Sequence, residues 1–82
     1  MAIFLGLHNL PEEANDGMVE ANWSAYKAAC AKKGMSAEHV HYNATFGKAY
    51  CVTIAESVDQ VQEAHDEAGV PVDQIIEVKD LS

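Results

Sequence analysis

Six periodic segments follow one another along this 82-residue chain, and their order limits the fold. Four of them read as strands: an extended apolar run over residues 3–9, the two arms of a hairpin over residues 39–44 and 48–54, and a final segment over residues 74–79. The other two repeat apolar residues with the 3.6-residue period of a helix, over residues 16–33 and from Ser57 to Gly69. The sequence therefore predicts the order strand, helix, strand, strand, helix, strand in a single domain, residues 1–82.

The two helices carry clear signals of their own. The first has its apolar residues on one stripe: Val19, Trp23, Tyr26 and Cys30. The second opens with Ser57 and Gln60, a pair that can cap the first turn, and it ends at Gly69 before Pro71. The turn around Gly47 joins the two middle strands as a hairpin.

This order predicts a ferredoxin-like α+β fold. Two right-handed crossovers interleaved in this way give a four-stranded antiparallel sheet in the order 4-1-3-2, with both helices on one face. Because strand side chains alternate between faces, the sequence also divides into two sets. We assign the more apolar set to the helix-covered face: Ile3, Leu5, Leu7, Val40, Tyr42, Tyr50, Val52, Ile54, Ile76 and Val78. The complementary set is then expected on the open face: Phe4, Gly6, His8, His39, His41, Asn43, Cys51, Thr53, Ile75 and Glu77.

The set expected on the open face contains candidate metal ligands. In the predicted strand order, Cys51 lies between His8 and His41, and imidazole and thiolate suit zinc, nickel and copper. His65, one helical turn after Val61, is expected on the other side of the sheet. Alternatives stay open at this point: His39 and His41 as interface or solvated residues, Cys51 as a small buried hydrophobe, and His65 as a hydrogen-bonded histidine at the core boundary.

The charge balance excludes several partners. The chain has 13 acidic residues against 5 basic ones, all of them lysine, for a formal net charge of −8. Such a chain repels phosphate backbones, so we expect no nucleic acid and no anionic membrane as partner. With two cysteines outside any CxxC pair, free thiols in a reducing compartment are the simpler expectation. The N-terminus has no basic signal region, and the predicted location is cytoplasmic.

Small size favours association. A chain of this length buries only about 60–65% of its unfolded surface, so we expect a homodimer to supply further stability. No nucleophile motif and no Gly-rich phosphate loop indicate an enzyme, since Asn9 to Glu13 is acidic where such a loop would stand. An enzyme is therefore unsupported by the sequence, although still open.

Taken together, several short patterns resemble a bacterial family of small proteins of unknown function that includes a nickel-responsive, nickel-binding member. They are Phe4-Leu5 with His8, Gly47-Lys48 with Tyr50-Cys51, Glu63-Ala64-His65 with Ala68-Gly69, then Pro71, Asp73 and Glu77-Val78. The resemblance implies a ferredoxin-like homodimer with nickel held at its surface by histidine and carboxylate groups, and a role in nickel sequestration or tolerance. Carried over by position, the implied metal ligands are His8, His41 and His65, with Cys51 as a further candidate.

Three functions remain to be distinguished. The first is divalent transition-metal binding, with nickel as the expected metal. The second is a small dimeric α+β-barrel-type enzyme, whose pocket at the dimer interface would be lined by Phe4, His8, His41 and Tyr42 or Cys51. The third is a non-catalytic interaction module.

Overall fold

The computed structural model describes residues 1–81. Its elements are β1 (Ala2–Asn9), α1 (Asp16–Lys32), β2 (Ser36–Asn43), β3 (Lys48–Ala55), α2 (Val58–Ala68) and β4 (Gln74–Val78). The predicted order of strands and helices is confirmed. The second strand begins at Ser36 rather than at residue 39, and a register shift between Ala37 and His39 interrupts its pairing with β3.

The strands form one antiparallel sheet in the order β2-β3-β1-β4. This is the predicted 4-1-3-2 order read from the other edge, and it confirms the ferredoxin-like α+β fold. β1 and β3 occupy the centre of the sheet, and their eight-residue pairing runs from Ala2 opposite Ala55 to Asn9 opposite Lys48. Each residue on these two strands therefore has cross-strand neighbours that are set by the pairing.

Caps fix where the helices begin and end. The Asn15 side chain accepts a hydrogen bond from the Met18 N–H at 3.0 Å, and the Ser57 hydroxyl accepts one from the Gln60 N–H at 3.3 Å. The Gln60 Oε1 in turn accepts a hydrogen bond from the N–H of Glu56, one residue before the cap, rather than from that of Ser57. α2 ends at Gly69, whose φ of 70° is the left-handed conformation that glycine adopts without strain.

Both helices pack on the same face of the sheet, where the core lies. Tyr26, Ala29 and Cys30 of α1 and Val61 and Ala64 of α2 share one buried cluster with residues of β1 and β3. The sheet contributes one bulky side chain, Phe4, and two small ones, Cys51 and Ala55, to this cluster. Thr53 is also fully buried beneath α1.

The structure reverses the predicted faces of β1, β3 and β4. Phe4 and Cys51 are each only 3% exposed and lie beneath the helices, whereas Ile76 is 38% exposed. By register, the open face instead carries eight apolar side chains: Ile3, Leu5, Leu7, Tyr50, Val52, Ile54, Ile76 and Val78. The prediction was correct for β2, where Val40 packs toward the core and His39 and His41 are exposed.

The two helices are too short or too polar to cross a membrane. Neither α1 nor α2, the helices in the described part of the chain, combines the length and apolar character needed to cross a membrane.

Candidate metal centre

His8, Cys51 and His65 meet beneath the helices. One potential ligand atom from each residue lies within 4.8 Å of the other two. His8 comes from β1, Cys51 from β3 and His65 from α2. Three elements distant in sequence thus bring two imidazoles and one thiol to a single point.

The strand register explains how His8 and Cys51 come together. Gly6 is the cross-strand partner of Cys51, and His8 stands two residues further along β1 on the same face. A β-carbon on Gly6 would lie 2.6 Å from the Cys51 Sγ, closer than two such atoms can approach. The missing side chain at Gly6 therefore provides the space that the thiol occupies beside His8.

Backbone carbonyls orient both imidazoles. His8 Nδ1 lies 2.7 Å from the Pro71 carbonyl oxygen, and His65 Nδ1 lies 2.8 Å from that of Val61. Because a carbonyl oxygen only accepts, each Nδ1 must carry the proton and donate it. In the neutral ring Nε2 then has a free lone pair, which is the arrangement that metal-binding histidines adopt.

Both free lone pairs face the same sulfur atom. His8 Nε2 lies 3.4 Å and His65 Nε2 lies 3.8 Å from the Cys51 Sγ. In a tetrahedral site with metal–nitrogen bonds of about 2.0 Å and metal–sulfur bonds of about 2.3 Å, nitrogen and sulfur are about 3.5 Å apart. The two nitrogen–sulfur distances are therefore close to those around a bound transition metal.

Burial sets the protonation of this group. It raises the pKa of the Cys51 thiol to about 11, so the free protein holds a thiol rather than a thiolate at neutral pH. Burial also lowers the pKa of His65, against the opposing effect of its hydrogen bond to Val61. His65 is therefore available as a neutral ligand, and a metal must displace one proton, that of Cys51.

Tyr26 of α1 holds the neighbouring wall in place. Its ring centroid lies 4.1 Å from that of His65, and its hydroxyl is 2.7 Å from the Thr53 hydroxyl in the core. Burial raises the pKa of Tyr26 well above its usual range, so this hydroxyl stays protonated. The hydrogen bond joins α1 to β3 next to Cys51 and thereby restricts the movement of the cluster.

A cavity of about 100 Å³ lies between α1 and the sheet, next to the cluster. His8, Cys51 and His65 all contribute to its surface. The remaining walls come from the end of β1, from α1, from the middle strands and from the segment after α2: Asn9, Leu10, Pro11, Val19, Asn22, Trp23, Tyr26, Val40, Ala49, Val70 and Pro71. The cavity is thus on the helix-covered face, not on the open face where the sequence reasoning expected a pocket.

The predicted ligands divide into two groups. His8, Cys51 and His65 lie together, which corrects the expectation that the sheet separates His65 from the other two. His41 is on the opposite face, beside Tyr50 in the register and next to His39, with 4.8 Å between the two imidazole centroids. The structure does not bring His41 to the cluster, and its role as a ligand stays a prediction.

Sequence reasoning gave no role to Gly6, Pro71 or Tyr26 in the site. Gly6 and Pro71 act through the absence of a side chain and through a main-chain carbonyl, which leave no pattern in a single sequence. Tyr26 was correctly expected in the core, but its contact with His65 is made between α1 and α2, and no pattern in the sequence shows which residues of the two helices touch. Both cysteines are free and buried, in agreement with the expected free thiols.

The profile of the family described as nickel responsive protein SCO4226-like matches residues 4–78. The chain belongs to this family. The resemblance inferred from the short sequence patterns is thereby confirmed, over nearly the whole chain.

A crystal structure of a member of the SCO4226-like family matches the fold. The protein is SCO4226 from Streptomyces coelicolor A3(2), and the superposition has a TM-score of 0.89 at 23% sequence identity. The alignment covers 99% of this chain and 100% of SCO4226. At this identity the similarity supports the fold alone. Among curated proteins, no sequence match was found.

Proposed function

We propose that this protein binds a divalent transition-metal ion, nickel in the first place, through His8, Cys51 and His65. The observation that carries the proposal is the convergence of two imidazole lone pairs on one thiol. Two imidazoles and a thiolate form a donor set that suits nickel, zinc and copper and that magnesium avoids. The family description, nickel responsive, supports nickel as the metal.

Hydrogen bonding alone explains the cluster less well than a metal does. The Cys51 thiol has one proton, and two Nε2 acceptors lie beside it, so the thiol can donate to only one of them at a time. A cation that replaces this proton would satisfy all three groups together. Carbonyl bonds that fix each histidine through its other nitrogen are also typical of metal centres.

Sequestration is the role that the surroundings support best. Cys51 and His65 are almost completely buried, so an ion bound to them would be shielded from solvent. The net charge of −8 attracts cations to the protein. A Cys51 nucleophile, in contrast, is disfavoured by the raised pKa of its thiol, because the thiolate is the reactive form.

We also propose that the protein is a homodimer formed through the open face of the sheet. The three strands β1, β3 and β4 place eight apolar side chains on this face and no carboxylate, although the chain has 13 acidic residues. Two copies of a chain with net charge −8 repel each other, and a largely apolar face without carboxylates is where they can still associate.

Metal binding can be tested by thermal shift at neutral pH with Ni²⁺, Zn²⁺, Cu²⁺, Co²⁺ and Mg²⁺. We expect the melting temperature to rise with Ni²⁺, Zn²⁺, Cu²⁺ and Co²⁺ and to stay unchanged with Mg²⁺. An ion present at 100 times its Kd adds about 2.7 kcal/mol to the free energy of unfolding, which is a readily measured shift.

Variants locate the site. His8→Ala and His65→Ala should each lose the Ni²⁺-dependent shift, with every variant compared with its own metal-free form. The double variant His39→Ala, His41→Ala is the matched control, because it removes two imidazoles from the opposite face, and it should keep the shift. If the control loses the shift and the His8 variant keeps it, the proposed site is wrong.

A further inference from the structure

We infer that the cavity between α1 and the sheet takes a small, neutral, nitrogen-donor heteroaromatic molecule, which completes the coordination of the metal. The inference rests on the proposed function, because the donor atom of this molecule would bind the ion held by His8, Cys51 and His65. The molecule would occupy the coordination position of the ion that the protein's own side chains leave free.

The protein supplies three donors where a closed site needs four. In the part of the chain that the structure describes, no further histidine, cysteine or carboxylate joins His8, Cys51 and His65 in their group. Transition-metal sites with three protein ligands keep a position for an external ligand, whereas purely structural sites have four. All three donor residues line the same cavity, so the free position faces it.

The size of the cavity selects a small ring. An apolar cavity of about 150 Å³ is known to hold benzene, and this cavity measures about 100 Å³. A five-membered heteroaromatic ring is therefore the expected size. Trp23 and Tyr26, whose ring centroids are 6.1 Å apart, provide aromatic surface on the α1 side.

The charge of the surroundings selects a neutral molecule. The residues that line the cavity all fall within the described part of the chain, and none of them is a lysine, an aspartate or a glutamate. No lysine is there to add to the charge of the bound ion in holding an anionic ligand, and the net charge of −8 repels anions from the protein. A phosphate or a carboxylate would be a poor occupant of this apolar space.

The experiment uses Co²⁺ as a spectroscopic substitute and imidazole as the probe. Imidazole is titrated into the Co²⁺-loaded protein, and the visible absorption of the ion is recorded while equilibrium dialysis shows that Co²⁺ stays bound. We expect a saturable spectral change with imidazole, and none with phosphate at the same concentrations.

Two blocking variants act from different walls of the cavity. Val70→Phe and Asn22→Phe should each weaken imidazole binding about tenfold or more by filling the space, without changing Co²⁺ binding. The matched control is Val58→Phe, because Val58 is 46% exposed on α2 and does not line the cavity. This variant should bind imidazole like the original protein.

The outcomes separate this inference from the proposed function. If Co²⁺ binds at the cluster but imidazole leaves the spectrum unchanged, the inference is overturned and the metal site stands. If both blocking variants respond to imidazole as strongly as the control, the ligand enters elsewhere and the inference is again overturned. If Co²⁺ does not bind, or binds equally after His8→Ala, the proposed function and the inference both fall.

Discussion

Gly6 determines the geometry of the metal centre without contributing a ligand. It stands directly opposite Cys51 in the central strand pair, and the Sγ of Cys51 occupies the volume that a side chain there would need. Any larger residue would displace the sulfur away from His8. The position therefore links the packing of the core to the spacing of the donor atoms.

We predict that Gly6→Ala lowers stability and metal affinity together. Over-packing a rigid core costs about 1–3 kcal/mol of unfolding free energy, and displacement of the thiol should also reduce the Ni²⁺-dependent shift. Chemical denaturation with and without Ni²⁺ measures both effects.

Gly17→Ala is the control for this prediction. A β-carbon at Gly17, in the first turn of α1, would lie 3.3 Å from the Asn15 Oδ1 and would not touch the metal centre. It should leave the Ni²⁺ response unchanged. An unaltered Ni²⁺ response in Gly6→Ala would contradict the role given to Gly6.

At the scale of strands and helices, periodicity was sufficient to predict the fold. The two-residue and 3.6-residue patterns identified all four strands and both helices, and chain topology then gave the sheet order. Periodicity also separated the two faces of each strand. It could not show which face of the central strands lies beneath the helices, because both sets contain enough apolar residues to be buried.

The packing of the helices explains why the more apolar set was the wrong one. α1 and α2 place the large side chains of Tyr26 and His65 against the sheet. The residues of the sheet that pack against them are small: Gly6, Cys51 and Thr53. A count of apolar residues gives such positions little weight. The same error placed His65 across the sheet from His8 and Cys51, whereas the three side chains lie together.

At the scale of the whole molecule, the proposed dimer depends on contact between the open faces of two copies. We predict that the protein is a dimer in solution and that Val52→Lys makes it a monomer, because Val52 lies near the centre of that face on β3 and a buried lysine would be unpaired. Size-exclusion chromatography with light scattering measures the mass, and circular dichroism checks that the variant is folded.

A matched charge change on the other side of the molecule completes the test. Gln62→Lys introduces the same single positive charge on the exposed surface of α2 and should leave the protein dimeric. A monomeric mass for the original protein at micromolar concentration would contradict the proposed interface. A dimer that survives Val52→Lys would do the same.

A metal that replaces the proton of Cys51 between the Nε2 atoms of His8 and His65 must release that proton. Burial raises the pKa of the Cys51 thiol to about 11, so below that pH each bound ion must release the thiol proton, and the affinity should rise about tenfold per pH unit. The lowered pKa of His65 means that this imidazole adds no proton at pH 8.

The most direct measurement is therefore calorimetric titration of Ni²⁺ at pH 8 in two buffers of different ionisation enthalpy, which counts the protons released. We predict about one proton per ion for the original protein and for Cys30→Ser, and close to none for Cys51→Ser. No proton release by the original protein, or an unchanged release by Cys51→Ser, would contradict the account.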